Sequence, residues 1–229
     1  MVELRPFDRL GQFDGGWLLA RYHFSFADYH DPDRMGVGAL RVWNDDAIQP
    51  DSGFPPHGHR DMEIVTYVRE GAITHEDSLG NVGRTEAGQV QVMSAGTGIR
   101  HSEYNREQCV TRIFQIWILP ERTGLPPRWE TRPFPRTHGI LQPLASGHPE
   151  DQGVPRLFQD ARVLGATLDK GDRITHRLDG RRAYLVPAKG AVSVNGQTVP
   201  ERSGLVAERE AALAIEALDD AEIILVEVA

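Results

Sequence analysis

The chain has 229 residues, enough for one large domain or two modest ones with a real core. Its net charge of -8 and pI of about 5.6 argue against sequence-independent nucleic-acid binding, which needs a basic surface. One cysteine, Cys109, excludes an intramolecular disulfide framework and fits a reducing compartment. It lies just ahead of an apolar run, so a buried, inert thiol is expected.

The N-terminus, Met1-Val2-Glu3-Leu4-Arg5-Pro6, has no positive region followed by an apolar stretch. No run approaches the roughly 18 apolar residues that a membrane helix needs, so a cytoplasmic protein without a membrane partner is expected. Short β-type runs then follow in order: Gly16 to Tyr22, Val37 to Asn44, Met62 to Glu70, Ala72 to Glu76, Gln89 to Ser94 and Thr111 to Leu119. β-branched and aromatic residues dominate several of them, as in Glu63-Ile64-Val65-Thr66-Tyr67-Val68. Ser78-Leu79-Gly80-Asn81 and Glu86-Ala87-Gly88 read as hairpin connections. Eight of the 15 prolines then fall between Pro120 and Pro155, which predicts an extended linker on the surface. Strand signals resume at Ala161 to Leu168, Ala183 to Pro187, Ala191 to Val194, Gly204 to Ala207, Ala212 to Glu216 and Glu222 to Val228. Asn195-Gly196 between two of these is a strong hairpin signal.

The two halves share an outline. Leu178 to Asn195 (strand, Lys189-Gly190, strand) echoes Met62 to Glu76 (strand, Glu70-Gly71, strand). The expected architecture is all-β: two antiparallel β-barrels of jelly-roll type joined by a proline-rich linker. The boundaries are 1–124 for the first domain, 125–155 for the linker and 156–229 for the second domain.

Two histidine pairs carry the chemistry. His57-Gly58-His59 and His101-Ser102-Glu103 each place ligand-type side chains at i and i+2, on one face of a strand. Adjacent strands carrying these pairs could aim three imidazoles and a carboxylate at one point. That donor set suits Fe, Mn, Co, Ni, Cu or Zn rather than Ca or Mg. Pro55-Pro56 stiffens the approach to the first pair. Gly96 and Gly98 permit a bend just before the second. Glu63 competes with Glu103 for the carboxylate role, because its even spacing from His57 and His59 satisfies strand parity. His57-x-His59-x3-Glu63 followed by His101 is the cupin pattern, with Gly88, Gly96, His101 and Asn105 as its second motif. Ser94 departs from that motif, where proline is usual, and two extra residues precede the histidine.

A closer resemblance covers roughly residues 17 to 120. His23-Phe24-Ser25-Phe26, Tyr29-His30-Asp31-Pro32, Met35-Gly36-Val37-Gly38 and Leu40-Arg41-Val42 begin it. His57-Gly58-His59-Arg60-Asp61-Met62-Glu63, His75-Glu76-Asp77-Ser78 and Met93-Ser94-Ala95-Gly96-Thr97-Gly98-Ile99-Arg100-His101-Ser102-Glu103 continue it. These stretches resemble the pirin family of bicupins, and the metal-free second half is most similar to the bacterial quercetin 2,3-dioxygenase type. The resemblance implies His57, His59, His101 and Glu103 as metal ligands, iron as the first metal to expect, and Glu63 as a non-ligand. It implies a dioxygenase that cleaves a flavonol such as quercetin with O2, releasing carbon monoxide, with Glu103 as the base. A metal-binding, redox-responsive regulator acting through a protein partner is the alternative, and a monomer is expected in either case.

The remaining histidines have bland expectations. His23, His30 and His75 are expected to fix backbone or loops through hydrogen bonds. His138 and His148 should be solvated in the linker, and His176 should lie on the surface. Trp17, Trp43, Trp117 and Trp129 are expected in core or inter-domain packing.

Overall fold

A computed structural model describes residues 1–134 and 137–229. Among these the chain is all-β, with one short 3-10 turn at Phe7–Arg9. Each half is a sandwich of two antiparallel sheets, jelly-roll in type and open rather than closed. In the first half a large sheet runs in the order Arg128–Pro133, Gln89–Ser94, Glu63–Glu70, Thr111–Ile118, Leu40–Ile48, Leu18–Tyr22, Gly11–Asp14. A smaller sheet faces it: Ser52–His59, Ile99–Asn105, Ala72–Asp77, Val82–Glu86.

The second half repeats this plan. Its large sheet is Val2–Arg5, Gly204–Ala207, Arg182–Lys189, Ala221–Val228, Ala161–Leu168, Gln142–Ser146, and its small sheet is Arg173–Arg177, Ala212–Ala217, Val192–Val194, Gln197–Val199. The glycines of the repeated strand-turn-strand unit match in conformation: Gly71 has φ +72° and Gly190 φ +67°, where a side chain would be strained. Edge protection is shared between the halves. The chain's first strand, Val2–Arg5, covers the Gly204–Ala207 edge of the second half. Arg128–Pro133 does the same for Gln89–Ser94 in the first half. An unpaired strand edge would otherwise invite association.

The segment expected to be a plain linker therefore supplies two strands, Arg128–Pro133 and Gln142–Ser146, one to each large sheet. Its Phe134, Leu144 and Ala145 are buried. Proline hides this from sequence, but Pro133 and Pro143 lie in edge strands, where a missing N–H costs no ladder bond.

The main core lies between the two large sheets, where Trp43, Tyr67, Phe114 and Ile116 meet Val163, Tyr184, Ile224 and Val226. This arrangement decides what the first sandwich can hold. Its large sheet turns its most apolar face outward, onto the second half. The inward face carries a polar row of cross-strand partners, Gln91–Thr66–Gln115–Asn44. The corresponding row of the second half is Leu205–Leu185–Leu225–Leu164. That sandwich is filled by aliphatic side chains. Its core is apolar where the inner face of the first half is polar.

Candidate metal centre

The Ser52–His59 strand pairs antiparallel with Ile99–Asn105, so that His57 lies opposite His101 and His59 opposite Ile99. The register slips by one residue between the His101 and Glu103 pairings, at Pro55-Pro56. Neither proline has an N–H to give to the ladder, and a bulge absorbs the mismatch. Parity then puts His57, His59 and His101 on the inner face. One ring nitrogen of each lies within 4.8 Å of the others. Gly96 and Gly98, with φ +48° and +140°, make the bend that leads into the second strand.

Hydrogen-bond directions fix the first of these rings. His57 donates from Nδ1 to the carbonyl of Pro55 at 2.8 Å, which can only accept, so its lone pair is on Nε2. That Nε2 faces His101 Nε2 at 3.1 Å. Burial, with His57 next, lowers the His59 pKa to about 4. Burial, then His57, His59 and His75, lowers that of His101 to about 2. Both are therefore neutral near pH 7, the form that ligates. Three imidazoles with converging nitrogens match a divalent first-row transition ion, so the residues present fit a metal.

Glu103 lies on the far side of His101. It shares a second grouping within 4.8 Å with His75 and His101, not with His57 and His59. Its two oxygens are held by twin clamps. Gln91 donates from Nε2 to one oxygen, and Gln115 Nε2 to the other at 2.8 Å. An indole N–H can only donate, so it orients each amide: Trp129 Nε1 gives to Gln91 Oε1 at 3.3 Å, and Trp117 Nε1 to Gln115 Oε1 at 3.2 Å. Burial raises the Glu103 pKa to about 7, against the opposing donors Gln91, Gln115 and Thr66. The carboxyl thus sits near the point of half-ionisation at neutral pH.

Two of the four tryptophans, expected only in packing, therefore belong to the site. Trp117 also meets His59 edge-on with centroids 5.0 Å apart, and Trp129 stacks on His75 at 4.8 Å and 8°. Gly83 makes room for Trp129, since a Cβ there would lie 2.2 Å from the indole. Trp43 is core, and Trp17 packs edge-on against Phe54. Met62, Met93 and Ile99 pack with Trp117 and Trp129 beside the histidines. An open depression of about 420 Å³ borders His59 and is lined otherwise by Gly58, Arg60, Ser78, Gly98, Ile99 and Arg100.

Glu63 turns elsewhere. Its carboxyl accepts from Ser94 Oγ at 2.8 Å and from the Phe158 backbone N–H at 3.2 Å. It ties the first half to the second and joins neither ligand grouping among the described residues. His23 is fully buried, with Nδ1 2.7 Å from the Tyr184 hydroxyl across the two halves. His75 binds Asp77. His30 and His138 are exposed. His148, expected in solvent, is half-buried between Glu150 and Asp160. His176, expected on the surface, is also half-buried, and its Nε2 meets buried Glu227 at 2.6 Å. Cys109 is exposed rather than buried, because it lies in the loop before Thr111–Ile118 and not in the strand. No helix among the described residues is long and apolar enough to cross a membrane.

Comparison with known proteins agrees with the fold. The Pirin family model matches residues 4–118, and the model of the quercetinase C-terminal cupin domain matches residues 144–228. A Pseudomonas aeruginosa protein provisionally named a quercetin 2,3-dioxygenase is 60% identical, with all of both chains covered. The quercetin 2,3-dioxygenase of Escherichia coli K12 is 42% identical over 98% of this chain and 97% of its own. The crystal structure of the bacterial pirin YhhW from Escherichia coli in complex with nickel(II) superposes with a TM-score of 0.95 at 41% identity, covering 100% of this chain and 99% of that one.

Proposed function

Because the chain belongs to the pirin family, we propose that it is a metal-dependent dioxygenase that cleaves flavonols such as quercetin. One flavonol and one O2 give one depside and one carbon monoxide. The observation that carries the proposal is the convergence of the His57, His59 and His101 ring nitrogens beside a buried, clamped carboxyl. His57, His59 and His101 would hold a divalent transition ion, iron first, with Glu103 as the carboxylate partner. When bound, the metal would supply Lewis-acid activation of the substrate hydroxyl.

This chain's own residues do the rest. Glu103 is the base that takes the 3-hydroxyl proton, as a buried carboxylate at the edge of the histidine cluster. The Gln91 and Gln115 amides hold the carboxyl in place and limit how far its basicity rises. Trp117, Met62 and Ile99 form an apolar wall that keeps bulk water from an electron-rich flavonolate. Residues 1–124 are proposed as the metal-binding domain and 156–229 as a packing domain, joined by 125–155, which lends one strand to each large sheet, while Val2–Arg5 crosses to the sheet of the second half. The aliphatic filling of the second sandwich supports that division.

The test is an aerobic assay with quercetin after reconstitution with iron, manganese, cobalt, nickel, copper and zinc in turn. Loss of flavonol absorbance with stoichiometric carbon monoxide supports the proposal. No turnover with any of these metals overturns it.

A further inference from the structure

We propose that Asp77 and His75 form a positioning pair that reserves the single N–H of His101 for its Nδ1 side, leaving Nε2 bare for the metal. This rests on the metal-centre reading above and goes beyond the ligands themselves. The strand Ala72–Asp77 pairs with Ile99–Asn105, placing His101 opposite Asp77 and Glu103 opposite His75. All four side chains face inward by parity. A continuous chain of contacts results: Pro55 carbonyl, His57, His101, His75, Asp77. The contacts are 2.8 Å, 3.1 Å, 3.3 Å and 2.9 Å in that order.

Counting protons along this chain gives the argument. Asp77 receives N–H donors on both oxygens: Leu79 and Asn81 backbone N–H on Oδ1, and Asn81 Nδ2 on Oδ2. It therefore acts as an acceptor, and the fourth donor must be His75 Nε2–H. The Nδ1 of neutral His75 is then a lone pair. At the other end His57 donates its Nδ1 proton to the Pro55 carbonyl, so whenever this ring ligates it presents the lone pair of Nε2. Between these two acceptors stands His101, with one proton for two nitrogen–nitrogen contacts. One contact must lack a proton. A cation bound between His57 and His101 removes the deficit, because the His101 proton then goes to His75. Trp129, stacked on His75 and admitted by Gly83, keeps that ring in plane for the exchange. Outer partners of this kind set ligand tautomer and basicity.

The experiment uses the full chain and two variants, Asp77→Asn and His75→Phe. An asparagine can still accept from Leu79 and Asn81, but its amide N–H forces His75 into the opposite tautomer. The phenyl ring keeps the stack on Trp129 and removes both nitrogens. Metal dissociation constants are measured for zinc and nickel by competition with a chromophoric chelator. Long-range proton–nitrogen NMR of the zinc-loaded, histidine-labelled protein reads the His101 ring. The expected result is a rise in Kd of about 10- to 100-fold in each variant, with one metal still bound per chain. The wild type should show a slowly exchanging His101 Nδ1–H, lost in His75→Phe. Folded variants with wild-type affinity overturn the proposal. If the variants fail to fold, a fast-exchanging His101 Nδ1–H in the zinc-loaded wild type overturns it alone. A wild type that holds no metal at His57, His59 and His101 sinks the metal-centre reading itself, a separate outcome.

Discussion

His23 should make this protein acid-sensitive. It is completely buried, its Nδ1 bonds the Tyr184 hydroxyl, and its Nε2 has no partner among the described residues. Burial first, then the charges of Arg5, Arg202, Arg34 and Arg69, lower its pKa from the ordinary 6.5 to about 3. In the unfolded chain the ring takes a proton below pH 6.5, and in the folded chain it does not. Its contribution to stability is therefore complete above 6.5 and is lost as pH falls toward 3. Each pH unit of that interval is worth about 1.4 kcal/mol, so about 3 kcal/mol is gone by pH 4. That is a large share of the roughly 5–15 kcal/mol that holds a typical domain together. The perturbation is His23→Gln, which keeps a hydrogen-bonding partner for Tyr184 but does not titrate. Urea unfolding of both proteins at pH 7 and pH 4, followed by far-ultraviolet circular dichroism, gives the difference. Carboxylates elsewhere weaken both proteins alike and cancel. The wild type should lose about 3 kcal/mol more than the variant over this range. Equal losses, within about 0.5 kcal/mol, would refute the reasoning.

Four further outcomes are expected. His59→Ala should leave the purified protein with less than about a tenth of the metal of the wild type by elemental analysis, since one of three converging donors is gone; unchanged content would refute the site. Gln91→Leu removes a charge-assisted donor from Glu103, so the ascending limb of the pH–rate profile should move to higher pH by about one unit; a fixed limb would mean that another group is the base. Gly83→Ala puts a methyl 2.2 Å from Trp129 and should cost about 1–3 kcal/mol, read as a lower Tm and an altered near-ultraviolet spectrum; an unchanged Tm would show that the indole moves freely. Cys109 should react with a thiol reagent in the native protein as fast as in urea, to within about tenfold, because it is exposed; strong protection would return it to the interior.

The amino-acid sequence by itself determined the all-β class, the internal repeat and the three histidines. Strand parity and β-branched runs are local properties, and an i, i+2 pair of ligands keeps its meaning on any strand. Turn glycines such as Gly71, Gly190 and Gly196 marked the hairpins for the same reason. What only the tertiary structure decided depends on burial from both sides. A polar residue in an alternating strand is ordinarily read as facing water. Gln91 and Gln115 face inward instead, because the second half covers the apolar face of their sheet. The clamps on Glu103 were therefore hidden in Gln89–Ser94 and Thr111–Ile118. Trp129 was hidden behind the prolines of a segment that looked like a connection. The separation of Glu63 from Glu103 needed three dimensions as well. Both satisfy parity, but Glu63 is taken by Ser94 and by Phe158, 95 residues further along the chain, and no local pattern registers a partner that distant.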